Sequence, residues 1–437
     1  MAVLDSDRHH KRVSWNFIKN VLLDEHISQK KLLAALGVAA LFHIGLSLLT
    51  RSPTVFVTAV HTARQILDGK MLYKDVTSPP TTGYAAWPPV FPYSLAIWFM
   101  FMGSSEFAAK LFCVTTTILA GYLCYLVGKE FLTPLQAYYA MLLFLFNPYT
   151  MLISLGGHFE NYALVFFLLA LLFIQKNRVG LGGITLGIGI MVKLFPGLFL
   201  FALLPFWAAR REYRASLLFL VAIAMTVGLI ALPFLWICPD DFFYWVFEFH
   251  SERDTGGVSI YYYWLPWLFQ DAQLILAIQA LLLVGCGCGM YLLTKKDQSI
   301  NLTAILTLWM PLILVLFFST TRILYPRYLA ILIPFLSWQT TVLWAKAIRR
   351  GAILDQLLIY LSMLGTIVWT LPWELEDHHP ASFTPAISLD NPLGLLYWIG
   401  AAIFDLTLFL FLTLNVWLVR GYLMSTKEKR SKELLIR

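Results

Sequence analysis

The sequence has little charge for its length. Only 13% of its 437 residues are charged, whereas 59% are hydrophobic. A water-soluble protein of this size cannot bury so much apolar surface, so the composition excludes a soluble enzyme or a soluble binding module. Apolar stretches recur along nearly the whole chain, each close to the roughly 20 residues that a helix needs to cross a bilayer. We therefore predict an all-α, polytopic integral membrane protein.

The chain also has few cysteines, five in all. Most lie within apolar runs, and Cys286 and Cys288 would point to different faces of a helix. Their positions predict neither a disulfide framework nor a metal site. No set of acidic or histidine residues has a recognisable metal-ligand spacing either, so a metal requirement stays unassigned.

The formal charge of +7 comes from short basic clusters between the apolar runs. The positive-inside rule places such clusters in the cytoplasm, so they do not require a nucleic-acid partner. Lys30 and Lys31 precede the first apolar run, which begins too far into the chain and is too long for a cleaved signal peptide. We predict three parts, which are a cytoplasmic N-terminal segment (1–31), a transmembrane domain (32–420) and a basic cytoplasmic tail (421–437).

The basic clusters and apolar runs together predict about twelve transmembrane helices. They lie near 32–49, 106–128, 132–154, 159–175, 180–195, 196–209, 215–236, 273–294, 301–318, 328–345, 353–371 and 394–418. The stretch from Pro88 to Met102 must not cross, because a crossing would put most later basic clusters outside. It is short and follows Trp87. We predict that it is interfacial or re-entrant, within a first outer loop at 51–105 that also holds an amphipathic helix at 56–69.

This topology gathers the unusual polar residues on the non-cytoplasmic face. The outer segments are 51–105, 155–158, the 193–196 turn, 237–270, 319–327 and 372–393. The cytoplasmic turns are short and merely basic. Any chemistry is therefore expected on the outer face.

Three ionisable residues stand at predicted membrane boundaries. His158 and Glu160 lie at the mouth of the 159–175 span and could act as acid, base or substrate ligands, or could simply cap the helix. Lys193 has apolar neighbours and precedes Pro196. It could hold an anionic phosphate below the membrane surface, or its ammonium could extend to the lipid headgroups.

The outer segment from Asp240 to Trp267 alternates aromatic and charged residues. Aromatic faces with carboxylate and arginine partners suit a sugar, although an interfacial aromatic belt has the same composition. Arg322 and Arg327 lie in the next outer segment. Their guanidinium groups are suited to bidentate phosphate contacts. Alternatively, these side chains could extend from the end of a span to the lipid headgroups.

The order of these motifs resembles a known superfamily over roughly residues 32–340. The motifs are Ala63-Arg64 through Gly69 to Tyr73, Trp87-Pro88-Pro89, Gly157-His158-Phe159-Glu160, Lys193-Leu194-Phe195-Pro196, Phe249 to Asp254, and Tyr325-Pro326-Arg327-Tyr328. The superfamily is the GT-C class of polyprenyl-phosphate-sugar-dependent glycosyltransferases. The resemblance is nearest to the branch of GPI mannosyltransferase I and the bacterial polyprenyl-phosphomannose-dependent mannosyltransferases.

The resemblance implies transfer of a hexose, often mannose, from a dolichyl or other polyprenyl phosphate to an acceptor on the non-cytoplasmic face, with inversion. It implies a set of substrate-binding residues, which are His158, Lys193, His250, Arg253, Asp254, Tyr262, Arg322 and Arg327. The lipid-linked sugar donor is a substrate, and no cofactor is implied. The implied partners are membrane lipid, the donor, a glycan or glycolipid acceptor and a possible small membrane subunit, in the plasma membrane or the endoplasmic reticulum.

One motif departs from the superfamily. Its members usually carry an Asp just after the first span, but the corresponding stretch from Arg51 to Val57 has no carboxylate. Inversion needs a base for the acceptor hydroxyl. Glu160, at a helix mouth beside His158, and Asp75, in the same loop as the usual acid, are the two candidates. The alternative is a non-catalytic subunit or lipid-linked-sugar binding protein of this fold; a transporter would instead place polar residues near the bilayer midplane.

Overall fold

A computed structural model describes residues 27–49, 54–76, 87–249, 256–260, 264, 272–298, 300–321, 323–346, 348–375 and 392–436. These residues are almost entirely helical. The helices are α1 (Gln29–Leu49), α2 (Thr54–Leu67), α3 (Val90–Met102), α4 (Glu106–Gly128), α5 (Pro134–Leu145), α6 (Pro148–Gly156), α7 (Glu160–Gln175), α8 (Val179–Ile190), α9 (Leu200–Ala209), α10 (Tyr213–Ile237), α11 (Pro239–Phe243), α12 (Ala272–Lys296), α13 (Leu302–Ala304), α14 (Met310–Thr320), α15 (Ile333–Ala345), α16 (Arg349–Leu375) and α17 (Pro392–Ile436).

Shorter elements join several of these helices. Two are 3₁₀ helices, Phe195–Phe199 before α9 and Pro326–Ile331 before α15, and two are π-helical turns, Tyr244–Glu248 after α11 and Ile305–Trp309 between α13 and α14. The two strands, β1 (Gly256–Gly257) and β2 (Ile323–Leu324), pair in parallel.

Seven of the described helices are long and apolar enough to cross a membrane, and the pair α5 and α6, bent by 48°, could form one further span. The protein is therefore a multi-pass integral membrane protein, as predicted. A helical segment occupies each of the twelve predicted spans. The number of crossings stays a prediction, since several of those segments are shorter than a bilayer requires.

The bend in the predicted 132–154 span lies at Asn147 and Pro148. Proline lacks the amide hydrogen that a continuous helix would use, so α5 ends before it. The Asn147 Oδ1 accepts a hydrogen bond from the backbone N–H of Tyr149 at 3.0 Å and so caps α6. Helix α6 ends at Gly157, whose φ of 64° is left-handed. This reversal sets the loop that leads into α7.

Helix α4 lies inside the bundle, packed against α1, α5 and α7. The fully buried Trp338 of α15 donates its indole N–H to the carbonyl of Cys124 in α4 at 3.2 Å. A polar group buried in a membrane protein needs such a partner, because lipid supplies none. This contact links the first half of the chain to the second.

The predicted first outer loop contains the expected amphipathic helix. It is α2, which buries Ala59, Val60 and Ala63. The exposed Arg64 donates hydrogen bonds from Nε and Nη2 to the carbonyl of Ser104 at 2.8 and 2.5 Å. These contacts hold α2 against the turn after α3. Helix α3 has 13 residues and is too short to cross a bilayer on its own, which agrees with an interfacial or re-entrant segment.

A second tertiary contact ties together two segments that are distant in the sequence. The backbone N–H of Val258 donates to the carbonyl of Leu324 at 2.8 Å, and the Ser259 hydroxyl donates to the carbonyl of Thr321 at 2.8 Å. These bonds extend the pairing of β1 with β2. They fix the chain that leads into Arg327.

Candidate functional site

Three segments that are far apart in the sequence meet at a cluster of three charged residues, Glu160, Lys193 and Arg327. The Lys193 Nζ donates a hydrogen bond to the Glu160 Oε1 at 2.7 Å, and the Arg327 Nε lies 3.3 Å from the same oxygen. The Glu160 side chain is 2% exposed, whereas those of Lys193 and Arg327 are 22% and 20% exposed. The cluster therefore has one buried anion, two partly exposed cations and a surplus positive charge.

Glu160 owes its position to the turn between α6 and α7. It is the first residue of α7, where the positive end of the helix dipole favours a carboxylate. The imidazole of His158, two residues before Glu160, lies against the end of α6. A Cβ at Gly156 would lie 2.5 Å from the His158 Nε2, so glycine at this position leaves the space that the ring occupies.

Lys193 lies in the turn between α8 and the following 3₁₀ helix. The carbonyl of Met191 accepts a hydrogen bond from the N–H of Val90 at 3.0 Å, which joins this turn to the first outer loop. The Lys193 ammonium lies 4.2 Å from the centre of the Tyr328 ring and 5.2 Å from that of Phe159. These cation–π contacts and the ion pair hold the ammonium against the protein.

Arg327 follows Pro326, which begins a 3₁₀ helix, a position where the fixed φ of proline and its missing N–H cost nothing. Its guanidinium carbon lies 4.4 Å from the centre of the Tyr325 ring and 5.5 Å from that of Tyr328. Tyr328 thus contacts both cations. Its ring therefore lies beside the charged group of each side chain.

His158 precedes α7 and lies beside the cluster. Burial, followed by the positive charges of Arg327 and Lys193, lowers the pKa of His158 to about 3, although Glu160 acts in the opposite direction. The imidazole is therefore neutral at physiological pH. A neutral imidazole offers one hydrogen-bond donor and one acceptor, which suits a hydroxyl or phosphate ligand.

Aromatic residues of the predicted first outer loop pack against Phe159, the ring that lies beside the Lys193 ammonium. The Phe91 ring stacks on Phe159 with centres 3.9 Å apart, and Trp87 meets Phe159 edge-on at 5.8 Å. The Tyr73 hydroxyl donates a hydrogen bond to the carbonyl of Trp87. The motif at 87–89 is thereby brought into contact with the motif at 157–160.

Asp75 is exposed at the end of a turn in the first outer loop. Its Oδ2 accepts a hydrogen bond from the N–H of Met71 at 3.1 Å. The neighbouring Tyr73 packs edge-on against Phe234 and Phe242, with ring centres 5.3 and 5.5 Å apart. The turn that carries Asp75 is thus held at the C-terminal end of α10.

The structure brings together three of the predicted substrate-binding residues, His158, Lys193 and Arg327, with Glu160. The other predicted ones lie outside the described residues, and they are His250, Arg253, Asp254, Tyr262 and Arg322. In the described part of the chain, no group of three or more His, Cys, Asp or Glu residues is placed to hold a metal ion.

Sequence reasoning did not single out the aromatic residues that surround the two cations. Tyr325 and Tyr328 flank Arg327, and Phe159 and Phe195 lie beside Glu160 and Lys193 in the sequence. An aromatic residue within two positions of each boundary charge was a usable signal. It could not reveal that these rings meet in one place, since the segments are distant along the chain.

The fold is that of a multi-pass membrane protein with a charge cluster formed where three segments of the chain meet. Residues 79–320, more than half of the chain, match the model of glycosyltransferase family 87, and the chain belongs to this GT-C-type family. Its fold is similar to that of ArnT from Cupriavidus metallidurans, solved with bound undecaprenyl phosphate. The TM-score is 0.53 and the identity 15%, over 89% of this chain and 78% of that one. Comparison with curated protein sequences gives no match.

Proposed function

We propose that the protein transfers a hexose, with mannose as the expected sugar, from a dolichyl or other polyprenyl phosphate to a glycan or glycolipid acceptor on the non-cytoplasmic face. The observation that carries this proposal is the cluster of Lys193 and Arg327 around the buried Glu160, with its surplus positive charge. Membership of family 87 supports the reaction class. The ArnT structure, which holds undecaprenyl phosphate, supports the donor class.

The cations would bind the phosphate of the donor. The guanidinium of Arg327 can form a bidentate contact with phosphate oxygens, while Lys193 supplies a compact charge. Each side chain is about one fifth exposed, so a ligand can reach it without breaking its contact with Glu160. In the reaction the bond from the anomeric carbon to the phosphate oxygen breaks, and negative charge accumulates on the phosphate. Cations already held in place stabilise that charge as it develops.

The acceptor hydroxyl must lose its proton as it attacks the anomeric carbon. The candidate bases are Glu160 and Asp75, and they differ in accessibility, since Asp75 is exposed on the outer loop and Glu160 is buried. An acceptor could reach Asp75 from outside. We propose that His158 contributes a neutral hydrogen-bonding group, and that His250, Arg253, Asp254, Tyr262 and Arg322 complete the sugar and phosphate contacts.

The test is to incubate the purified protein with polyprenyl-phosphomannose and a panel of glycolipid acceptors. Turnover is measured as the release of polyprenyl phosphate. Lys193→Ala and Arg327→Ala should each abolish most of the turnover. The control is Lys176→Ala, which removes an exposed lysine from a predicted cytoplasmic turn and should leave the rate unchanged. Polyprenyl-phosphoglucose in parallel tests the sugar.

The alternative function is a non-catalytic subunit or a lipid-linked-sugar binding protein of this fold. It is favoured by the absence of a carboxylate between Arg51 and Val57. Binding of polyprenyl-phosphomannose with no turnover for any acceptor, alone or with co-purified membrane proteins, would replace the enzymatic proposal with this one.

A further inference from the structure

We infer that Glu160 is a positioning residue, whose carboxylate holds Lys193 and Arg327 together as one phosphate-binding unit, and that it is not the general base. This inference rests on the proposed function, and it assigns one of the two candidate bases a different task. Three observations carry it, which are the sharing of one oxygen, the burial of the carboxylate and the origin of the two cations.

The first observation is that a single oxygen serves both cations. The Glu160 Oε1 lies 2.7 Å from the Lys193 Nζ and 3.3 Å from the Arg327 Nε. A base must take up a proton, but a proton on this carboxyl group would remove the charge that holds both cations. The two nitrogens lie within about 6 Å of each other and would then repel, because nothing else in the cluster is negative.

The second observation is that the carboxylate is buried. The Glu160 side chain is 2% exposed, and its Oε2 is buried with no hydrogen-bond partner among the described residues. A general base must lie within hydrogen-bond reach of the proton that it removes. The exposed parts of the cluster are the two cations, so a ligand meets Lys193 and Arg327 before it could meet Glu160.

The third observation is that the cations come from separate segments. Lys193 lies in the turn after α8, and Arg327 in the 3₁₀ helix that packs against α6 and α7. The chain itself does not fix the distance between them. Glu160, at the start of α7, contacts both and therefore sets their spacing, while Tyr328 lies beside each of them. A phosphate that needs both cations depends on this spacing.

The decisive readout is the affinity for the product, polyprenyl phosphate, which needs no acceptor and no proton transfer. Glu160→Gln keeps the shape of the side chain but removes its charge. A positioning role predicts a dissociation constant at least about tenfold weaker than that of the wild type, because the loss of the fixed spacing between the two cations outweighs the removal of one negative charge near the phosphate. A general base must be deprotonated to act, so kcat/KM should fall at acid pH as the base takes up a proton. If the base is a residue other than Glu160, Glu160→Gln should keep this acid-side fall. The matched control is Glu106→Gln, an exposed acid at the first position of α4.

A base role predicts the opposite pair of results. Glu160→Gln would then bind polyprenyl phosphate as the wild type does, and its acid-side pH dependence would disappear, and that outcome would overturn the inference. If Glu160→Gln does not fold, Glu160→Asp keeps the charge on a shorter side chain. Weaker product binding by Glu160→Asp supports positioning, and unchanged binding refutes it. Failure of the wild type itself to bind polyprenyl phosphate would instead refute the proposed function.

Discussion

Removing the charge of Lys193 gives a direct test of the phosphate site. Lys193→Met keeps most of the length and apolar contacts of the side chain. It leaves Arg327 and Glu160 as an ion pair with no net charge. The ammonium now contacts Glu160 at 2.7 Å and is 22% exposed. A phosphate about 4 Å from it would gain about 4 kcal/mol at an effective dielectric constant near 20. Because the ammonium is partly exposed, solvent should reduce this to about 2 kcal/mol, or about thirtyfold in affinity.

The assay is the dissociation constant of polyprenyl phosphate in lipid nanodiscs, measured at low and at physiological ionic strength. The loss in Lys193→Met should be larger at low salt, because the lost attraction is electrostatic. Lys193→Arg should recover part of the affinity, and Lys176→Met should not change it. Wild-type affinity in Lys193→Met at low salt would refute the assignment of this residue to the phosphate.

Three further predictions concern the base, the neighbouring histidine and the topology. Asp75→Asn should lower kcat by at least about a hundredfold with little change in product affinity, if Asp75 is the base; an unchanged kcat would exclude it. The pKa of His158 is about 3 in the folded protein, below its value of about 6.5 in the unfolded chain. Between these two pH values the unfolded chain binds more protons than the folded protein. The wild type should therefore lose stability as pH falls through that window. Thermal unfolding of His158→Gln should show a smaller loss, and an identical pH dependence would contradict the lowered pKa of His158. In a background without reactive cysteines, Asp75→Cys should be labelled by an impermeant reagent from the non-cytoplasmic side and Lys176→Cys only from the cytoplasm; the reverse result would invert the topology.

Composition and apolar periodicity were enough to predict that this protein lies in lipid and where its helices lie. Scarce charge and recurring apolar runs predicted a helical membrane protein, and each predicted span coincides with a helical segment. The reason is physical, because a helix satisfies its backbone hydrogen bonds within one segment and lipid offers no other partners. Local signals were also sufficient at 56–69, where the apolar spacing predicted α2. At Pro88 to Met102 the structure has the 13-residue helix α3, and its failure to cross the membrane stays a prediction.

The apolar pattern of the sequence did not predict the bend within one of the spans. The 132–154 run was predicted as one span, but the structure divides it into α5 and α6, bent by 48°. The break lies at Pro148, which was visible in the sequence. Its angle depends on how the two halves pack against α1 and α15, and no local pattern specifies that packing.

The joining of Glu160, Lys193 and Arg327 into one cluster depends on tertiary packing. The sequence identified each as an unusual charge at a predicted membrane boundary, where several explanations remained open. Their meeting depends on the left-handed reversal at Gly157, on the turn after α8 and on the docking of the 3₁₀ helix at 326–331 against α6 and α7. Ion pairs between distant segments arise from helix packing. The periodicity of the sequence identifies the buried side of each helix but not the residue that it will meet there.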